Sequence, residues 1–180
     1  MVGTSGAGKS TLASSLAAAL GADFLELDSV FHQPDWVPLP TPEFRERVAA
    51  VTAGERWVID GNYSSKVGDV VWARADTVVW LDLPRRTVTR RVLWRTLRRV
   101  AGRVELWNGN HEHWRNVFSL DKEKSVIAWA WHMHAANQVK YEAAMADPAN
   151  GHLRFVRLTS PAAVRRFLRG VSPASGGDQL

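Results

Sequence analysis

The sequence predicts an α/β fold, a three-layer α/β/α sandwich around a doubly wound, mostly parallel sheet of five strands. Short apolar runs of strand character alternate along the chain with longer segments of helical periodicity, a pattern typical of parallel strands joined by helical crossovers. A glycine-rich loop that fills the template G-x-x-x-x-G-K-S precedes the first of these helices. The two observations together favour a sheet that binds its ligand at the carboxyl ends of the strands.

The glycine-rich loop comprises Gly3, Thr4, Ser5, Gly6, Ala7, Gly8, Lys9, Ser10 and Thr11. Glycines let successive backbone N–H groups turn toward an anion without obstruction from a Cβ atom. Lys9 adds a positive charge for the β and γ phosphates of a nucleotide, and Ser10 supplies a hydroxyl for Mg²⁺. Leu12, Leu16 and Leu20 follow at helical spacing, so the positive end of a helix faces the phosphates. We therefore expect all nine residues to bind a nucleotide cofactor, with Ser10 as a metal ligand.

The first strand of the predicted sheet is nearly absent, because only Met1 and Val2 precede Gly3. That strand is usually central in a parallel sheet of this kind, so its loss would leave backbone groups of both neighbouring strands unpaired. We therefore expect the natural start to lie several residues upstream of Met1.

Four further strands are predicted from short runs of apolar and β-branched residues. They cover residues 24–28, 57–61, 77–82 and 153–158. The first of these runs ends at Asp28, the second closes with Asp60 and Gly61, and the third is stopped by Pro84. Continuous apolar runs with such ends are typical of strands buried on both faces.

Helices are predicted between the strands, at residues 11–20, 41–53, 85–101, 122–145 and 161–168. Gly21 gives the first helix its C-terminal stop, Thr41 and Pro42 form the start of the second, and Ser160 caps the last. The helix at residues 85–101 has an apolar stripe of Val88, Val92, Leu93, Leu97 and Val100. Tryptophans within apolar stretches, including Trp80 and Trp94, are expected to pack in the core.

Length and composition indicate one domain of residues 1–171, with a lid-like polar and aromatic segment at about residues 103–120. Residues 172–180 form a tail rich in proline, serine and glycine that we expect to be disordered. The chain has no cysteine, which excludes disulfides and thiolate metal sites, and no apolar run long enough to cross a bilayer. We expect a cytoplasmic protein, a monomer or homodimer, without a membrane partner.

Arginines dominate the positive charge of the chain. The formal net charge is +5, and residues 83–104 contain eight arginines and no carboxylate. A nucleotide polyphosphate, a phosphorylated substrate and nucleic acid are all polyanions that such a block suits, and a solvated helix face is the ordinary alternative. Arg91, Arg95 and Arg99 are four residues apart on one helix face, and we expect them to clamp donor phosphates.

Charged residues also follow the predicted strands, where open α/β sheets bind ligands. Asp60 follows four apolar residues and is expected to lie on the Mg²⁺ side of the site, although such an acid also caps turns. Asp28 is the candidate for acceptor contact or general base, with loop capping as its alternative. Asp82 is interpreted first as an acid at a helix N-terminus, with a role in the site as the alternative. Arg157 stands where a nucleotide base could rest. Two histidine pairs, His111 with His113 and His132 with His134, lack further ligands at zinc-like spacing.

The chain resembles the P-loop kinase superfamily, which includes adenylate kinase and shikimate kinase. It is more closely similar to small bacterial proteins labelled adenylate kinase-like or DNA topology modulation proteins. The resemblance is carried by residues 3–11, 27–28, 31–36, 57–63, 81–84, 106–110 and 157–161. It implies a P-loop NTPase fold like that of nucleoside monophosphate kinases, ATP and Mg²⁺ as cofactors, and an acceptor site between the second and third strands.

Two positions depart from the pattern of these kinases. Nucleoside monophosphate kinases tend to carry an aromatic residue, proline and arginine after Asp-Gly, whereas this chain has Asn62, Tyr63 and Ser64. That difference puts a nucleotide acceptor in question. His111 stands where an arginine is expected in the lid turn, so one clamp on the donor side is replaced by a group that titrates near neutral pH.

The sequence therefore predicts an ATP- and Mg²⁺-dependent phosphotransferase that moves the γ-phosphoryl group to a small hydroxyl or phosphate acceptor. Its expected catalytic residues are Lys9, Asp28, Asp60, Arg91, Arg95 and Arg99, with Ser10 and Asp60 on the metal. The alternative is a nucleic-acid-binding regulator that depends on a nucleoside triphosphate and uses the arginine helix. A third reading is a scaffold that binds nucleotide without chemistry.

Overall fold

Parallel strands alternate with helices along the chain, which confirms the predicted α/β class. The computed structural model describes residues 1–102, 104–110 and 126–171, with the backbone alone over residues 126–130. The strands in this part are β1 (Val2–Gly3), β2 (Asp23–Glu26), β3 (Trp57–Asp60), β4 (Thr77–Leu81) and β5 (Arg154–Leu158). Its helices are α1 (Lys9–Leu20), α2 (Leu27–Phe31), α3 (Thr41–Thr52), α4 (Ser64–Trp72), α5 (Arg85–Ala101), α6 (Val126–Ala146) and α7 (Pro161–Arg169). Short 3₁₀ turns occupy Pro34–Trp36, Trp107–Gly109 and Pro148–Asn150.

The strands form two parallel groups. One group has the order β1–β4–β5, with Val2 opposite Trp80, and the other pairs β2 with β3. Met1 lies between the groups, because its amino group donates a 2.6 Å hydrogen bond to the Ile59 carbonyl oxygen. The Gly61 N–H in turn donates to the Met1 carbonyl oxygen at 3.2 Å. These two bonds connect β3 to the residue that begins β1.

β1 is only two residues long, which confirms the expected near-absence of a first strand. A cavity of about 550 Å³ lies beside Met1, and its lining includes Val58 and Ile59 of β3 and Val78 and Val79 of β4. Burial lowers the pKa of the Met1 amino group to about 6. Beyond the two residues of β1, the space between β3 and β4 is therefore bounded mainly by apolar side chains.

Helices cover both faces of the central strand β4. Trp80 packs with Val2, Val78 and Tyr141 of α6 on one face. On the other face Val79 and Leu81 pack with Leu12 of α1 and with Val88 and Val92 of α5. Alternation of side chains along a strand sends neighbours to opposite faces, so these two clusters require a helical layer on each side.

A third cluster forms around β3, where Phe44 and Val48 of α3 pack against Ile59, Leu27 and Val67. Phe44 and Val48 are completely buried. Residues 44 and 48 are four apart, so one face of α3 meets the sheet while the rest faces outward. This cluster fixes α3 and α4 beside β2 and β3.

Several boundaries differ from the predicted ones. The strand predicted at residues 24–28 ends at Glu26, and Asp28 lies in the short helix α2 instead. The carbonyl oxygen of Glu26 accepts a hydrogen bond from Ser29 Oγ, which turns the chain into that helix. α2 and α4 were not predicted. The five residues of α2 are too few to show a helical period, and Gly68 interrupts the helical pattern of α4. The tail at residues 172–180 and most of the lid-like segment lie outside the described residues.

α5 buries a different stripe from the predicted one. Val88, Val92, Thr96 and Val100 are buried at four-residue spacing. Leu93 is 38% exposed and Trp94 is 63% exposed, so the prediction that they pack in the core is wrong. A buried stripe with strict four-residue spacing is typical of a helix that packs through one narrow face. Within the described part of the chain, no helix has both the length and the apolarity needed to cross a membrane.

Asn62 provides a further connection between the two strand groups. Its Oδ1 accepts hydrogen bonds from the Gly3 N–H at 3.1 Å and from the Tyr141 hydroxyl at 2.9 Å. Its Nδ2 donates to the Gly3 carbonyl oxygen at 2.7 Å. The side-chain amide thus pairs with both backbone groups of Gly3, as a neighbouring strand would.

We predict that Asn62→Ala lowers the free energy of unfolding by about 2–3 kcal/mol, because it removes the partners of two buried backbone groups. Urea denaturation measures the change. Asn150→Ala is the matched control, since Asn150 Nδ2 makes one bond, to the Ala144 carbonyl oxygen. That control should cost about 1 kcal/mol. Equal losses in the two variants would contradict the special position of Asn62.

Candidate active site

The glycine-rich loop of residues 3–11 connects β1 to α1 and is held in its shape by close contacts. Gly6 has φ +83°, and a Cβ atom on it would collide with Val92 Cγ2 and the Val88 carbonyl oxygen of α5. Gly3 has φ +137°, and a Cβ atom there would collide with the Leu81 carbonyl oxygen. Glycine is therefore required at both positions, by conformation and by space.

α5 places arginines directly against this loop. Arg91 Nη1 donates to the Ala7 carbonyl oxygen at 3.2 Å, and Arg95 Nη2 donates to Ser5 Oγ at 3.1 Å. Arg91, Arg95 and Arg99 all line the same cavity as the loop. The structure thus brings the three predicted arginines to the predicted phosphate loop across more than eighty residues of sequence.

The shared cavity has a volume of about 580 Å³. It is lined by Gly6, Gly8, Lys9, Ser10, Thr11, Glu26, Arg91, Arg95, Arg99, Glu105, Leu106 and Trp107. Four of these residues are cationic side chains, and the N-terminus of α1 begins at Lys9. A cavity with this charge and with a helix N-terminus at its floor favours a polyanion.

Asp60 ends β3 and is 3% exposed, and it contacts the cavity through Ser10 rather than lining it. Its Oδ2 accepts a 2.6 Å hydrogen bond from Ser10 Oγ. Burial raises the pKa of Asp60 above its ordinary value, and the charge of Lys9 and the Ser10 hydroxyl oppose that rise. The structure thus joins the two residues that were predicted to hold a metal ion.

Glu26 is a site residue that sequence reasoning missed. It ends β2 directly opposite Asp60 in the parallel register of β2 and β3. Its Oε1 lies 2.8 Å from Ser10 Oγ, and its Oε2 accepts a 2.8 Å hydrogen bond from Trp107 Nε1. The available signal was that Glu26 stands at the end of a strand, two residues before the acid that was chosen.

Asp28 lies in α2, next to the cavity but not among the residues that line it. The Tyr63 hydroxyl donates to Asp28 Oδ1 at 2.7 Å, and His32 Nε2 lies 3.3 Å from the same hydroxyl. Burial, together with Asp28, raises the pKa of Tyr63, so this phenol remains a donor. Burial also lowers the pKa of His32, an effect that Asp28 opposes. The predicted acceptor residue thus belongs to a polar and aromatic cluster beside the cavity.

The described part of the lid-like segment is fastened to the chain that follows α2. Asn108 Nδ2 donates to the carbonyl oxygens of Ser29 and His32. Asn110 donates to the Gln33 carbonyl oxygen and accepts from the Trp36 N–H, both at 2.9 Å. These bonds hold Trp107 and Glu105 at the rim of the cavity.

Arg157 lies at the end of β5, as predicted, but its guanidinium is engaged with acids. Nε and Nη2 donate to Asp82 Oδ2 at 2.9 and 2.6 Å, and Nη2 lies 3.0 Å from Glu142 Oε1. The guanidinium also stacks over the ring of Trp80 at 4.3 Å. Gln138 Nε2 donates to Asp82 Oδ1 at 3.0 Å. Arg157 is not among the residues that line the cavity of the glycine-rich loop.

Ser10 and Asp60 carry oxygen atoms that suit a hard divalent cation. No group of three or more His, Cys, Asp or Glu side chains arranged for a metal occurs in the described ranges. Mg²⁺ needs no such group, since one or two carboxylates, phosphate oxygens and water suffice for it. Asp60 and Ser10 supply oxygen atoms of this kind, and Asp60 Oδ1 is buried with no hydrogen-bond partner among the described residues.

Comparison with models of known protein families finds none that matches this chain, and a search of curated proteins likewise finds no match.

We predict that Gly6→Ala destabilises the protein by about 2–4 kcal/mol, through the contact with Val92 and through the left-handed backbone. Thermal unfolding measures the change. Gly109→Ala is the matched control, because Gly109 has φ +79° and its nearest neighbour would lie 4.0 Å from the added Cβ. Gly109→Ala should therefore lower the stability by about 1 kcal/mol, from backbone strain alone.

The double variant Gly6→Ala/Val92→Ala tests the cause. Removing the Val92 γ-methyl groups should recover part of the loss attributed to Gly6→Ala, so the two changes should couple by about 1 kcal/mol. Strict additivity of the two single effects would show that the loop and α5 do not depend on this contact.

Proposed function

We propose that this chain is an ATP- and Mg²⁺-dependent phosphotransferase with a P-loop NTPase fold. In this proposal the two strand groups belong to one five-stranded sheet of order β2–β3–β1–β4–β5, joined through Met1 and Asn62. The hydrogen bonds of Met1 to Ile59 and Gly61 support that order. The observation that carries the function is the convergence of Lys9, Ser10 and three arginines on one cavity, with Asp60 hydrogen-bonded to Ser10 beside it.

The loop and α5 provide charge compensation and positioning, which phosphoryl transfer chiefly demands of a protein. Backbone N–H groups of the loop and the α1 N-terminus hold the triphosphate, and Lys9 neutralises its β and γ phosphates. Arg91, Arg95 and Arg99 face the charge that develops during transfer. Ser10 and Asp60 would hold Mg²⁺, which supplies further neutralisation of the phosphate oxygens when it is bound.

The acceptor is a small molecule that binds beside Asp28, Trp36 and Asp60. Its hydroxyl or phosphate oxygen attacks the γ-phosphorus, the bond from that phosphorus to the β–γ bridging oxygen breaks, and ADP leaves. Asp28 takes or orients the acceptor proton, with Tyr63 holding its carboxylate in place. In this proposal the nucleotide base rests near the end of β5, where the Arg157 guanidinium lies over the ring of Trp80. We propose that the protein works in the cytoplasm as a monomer or homodimer.

The outer face of α5 favours a second candidate, a nucleic-acid-binding regulator that depends on a nucleoside triphosphate. Trp94 is 63% exposed and lies between Arg90 and Arg98, one turn away on either side, and Arg86 continues the row. Exposed aromatic rings among arginines stack on bases and contact the phosphate backbone. This face points away from the phosphate cavity, so its partner would be a separate molecule.

We predict that Lys9→Ala lowers the rate of ATP turnover by about 10²–10³-fold, because the charge opposite the β and γ phosphates is lost. Release of ADP and transfer from labelled ATP to a panel of small hydroxyl compounds are the measurements. Lys66→Ala on α4 is the control for removing one lysine and should leave the rate unchanged. Undiminished turnover of the Lys9 variant, with its circular dichroism intact, would remove the mechanism.

The two faces of α5 give a second test. Arg95→Ala should lower ATP turnover by about 10²–10³-fold, whereas Arg90→Ala should leave it within about twofold. If the outer face binds nucleic acid, Arg90→Ala and Trp94→Ala should weaken binding of single-stranded DNA at physiological salt, measured by fluorescence anisotropy. Salt-resistant DNA binding together with no phosphorylated acceptor would favour the second candidate over the kinase.

A further inference from the structure

The Ser10 hydroxyl lies between two carboxylates on the floor of the phosphate cavity. Ser10 Oγ is 2.6 Å from Asp60 Oδ2 and 2.8 Å from Glu26 Oε1. A serine hydroxyl carries one proton, so it donates to one of these carboxylates at a time. Glu26 and Asp60 thus present oxygen atoms toward the same point, and one of those oxygens receives no hydrogen from Ser10.

An independent observation concerns the second carboxylate oxygen of Asp60. Asp60 Oδ1 is buried and has no hydrogen-bond partner among the described residues, although Asp60 is only 3% exposed. Buried polar atoms nearly always have a partner, so such an oxygen indicates a ligand that completes it. Asp60 therefore has a bond left to make, while its other oxygen shares the Ser10 hydroxyl with Glu26.

The backbone explains why Glu26 occupies this place and Asp28 does not. Glu26 is paired with Asp60 in the parallel register of β2 and β3, and paired residues of parallel strands have side chains on the same face. Asp28 follows in α2, where the Tyr63 hydroxyl binds its Oδ1. Trp107 Nε1 donates to Glu26 Oε2 and leaves Oε1 directed at Ser10.

We propose that Glu26 is the second carboxylate of the divalent-cation site, acting together with Ser10 and Asp60, and that Trp107 positions it. The inference rests on the proposed function, because the cation enters with the triphosphate. Mg²⁺ is commonly bound through one or two carboxylates plus phosphate oxygens and water, and Mn²⁺ accepts the same ligands. The Ser10 hydroxyl and the Glu26 and Asp60 carboxylates in contact with it meet this requirement.

The test compares metal-dependent with metal-free nucleotide binding. Calorimetry measures the affinity of the full chain for a non-hydrolysable ATP analogue with Mn²⁺ and, separately, with EDTA. Electron paramagnetic resonance measures free Mn²⁺ in the same mixtures. The variants are Glu26→Gln and Asp60→Asn, and Glu105→Gln is the matched control, because Glu105 lines the same cavity without contacting Ser10 in the described contacts.

Glu26→Gln should weaken Mn²⁺ binding in the presence of the analogue by about 10–100-fold. Its metal-free affinity for the analogue should stay the same or rise, because one negative charge near the phosphates is removed. A merely structural role for Glu26 would weaken both affinities together. Glu105→Gln should change Mn²⁺ binding by less than about threefold, since an exposed carboxylate is well screened.

Trp107→Phe keeps the aromatic ring but removes the indole donor. We expect it to weaken Mn²⁺ binding by a smaller factor than Glu26→Gln, of about 3–10-fold, because the Glu26 carboxylate loses its orientation. It tests the positioning role without altering the charge of the site.

Unchanged Mn²⁺ affinity in Glu26→Gln, with affinity lost in Asp60→Asn, would overturn this inference and leave the proposed function standing. Equal weakening of metal-free and Mn²⁺-dependent binding in Glu26→Gln would overturn it as well. If the wild-type chain binds the analogue neither with Mn²⁺ nor with EDTA, the proposed function itself fails. Circular dichroism and melting temperature of each variant separate loss of binding from loss of the fold.

Discussion

The close contact between the glycine-rich loop and α5 is the constraint on which the candidate site depends. Gly6 lies so near Val88 and Val92 that no side chain fits between the loop and the helix. Since residues 91 and 95 occupy the adjacent turns of the same helix, this contact fixes their guanidinium groups at the loop. A wider separation would leave the arginines without the Ala7 carbonyl and the Ser5 hydroxyl as partners and would expose the buried stripe of α5 to water.

A second constraint is the meeting of the two strand groups at Met1. Among the described residues, hydrogen bonds of Met1 and of the Asn62 side chain connect β3 to the short β1. The relative position of Asp60, at the end of β3, and Ser10, which follows β1, depends on those bonds. A buried side-chain amide that satisfies two backbone groups is a rigid connection, because both its donor and its acceptor are used. Asn62 thereby contributes to the relative position of Ser10 and Asp60 without lining the cavity.

Much of the site could be predicted because its signals are local. The glycine-rich loop requires particular residues at fixed spacing, and Asp60 follows a run of buried apolar residues. Glu26 could not be predicted with equal ease, since its place opposite Asp60 depends on the register between β2 and β3. Asp28 was wrongly placed at the end of a strand, because the end of β2 and the first turn of α2 have the same apolar character in the sequence. The burial of Trp94 was predicted wrongly because helical periodicity defines the buried stripe of α5 only to within one residue. Which of two adjacent residues is buried depends on the surface against which the helix packs.

The charge of the cavity is divided between its walls, and this division bears on what it binds. α5 contributes three arginines to the lining, whereas Glu26 in the lining and Asp60, which is hydrogen-bonded to Ser10, contribute two carboxylates. A free triphosphate placed in this cavity would meet favourable charge from the arginines and Lys9 but repulsion from the carboxylates. A triphosphate that carries a divalent cation presents positive charge to the carboxylates and negative oxygens to the arginines at once. In the proposed function these two sets of charge would discriminate between the two forms. That discrimination would require the arginines and the carboxylates to keep their positions, which the contact of Gly6 with α5 and the pairing of β2 with β3 support.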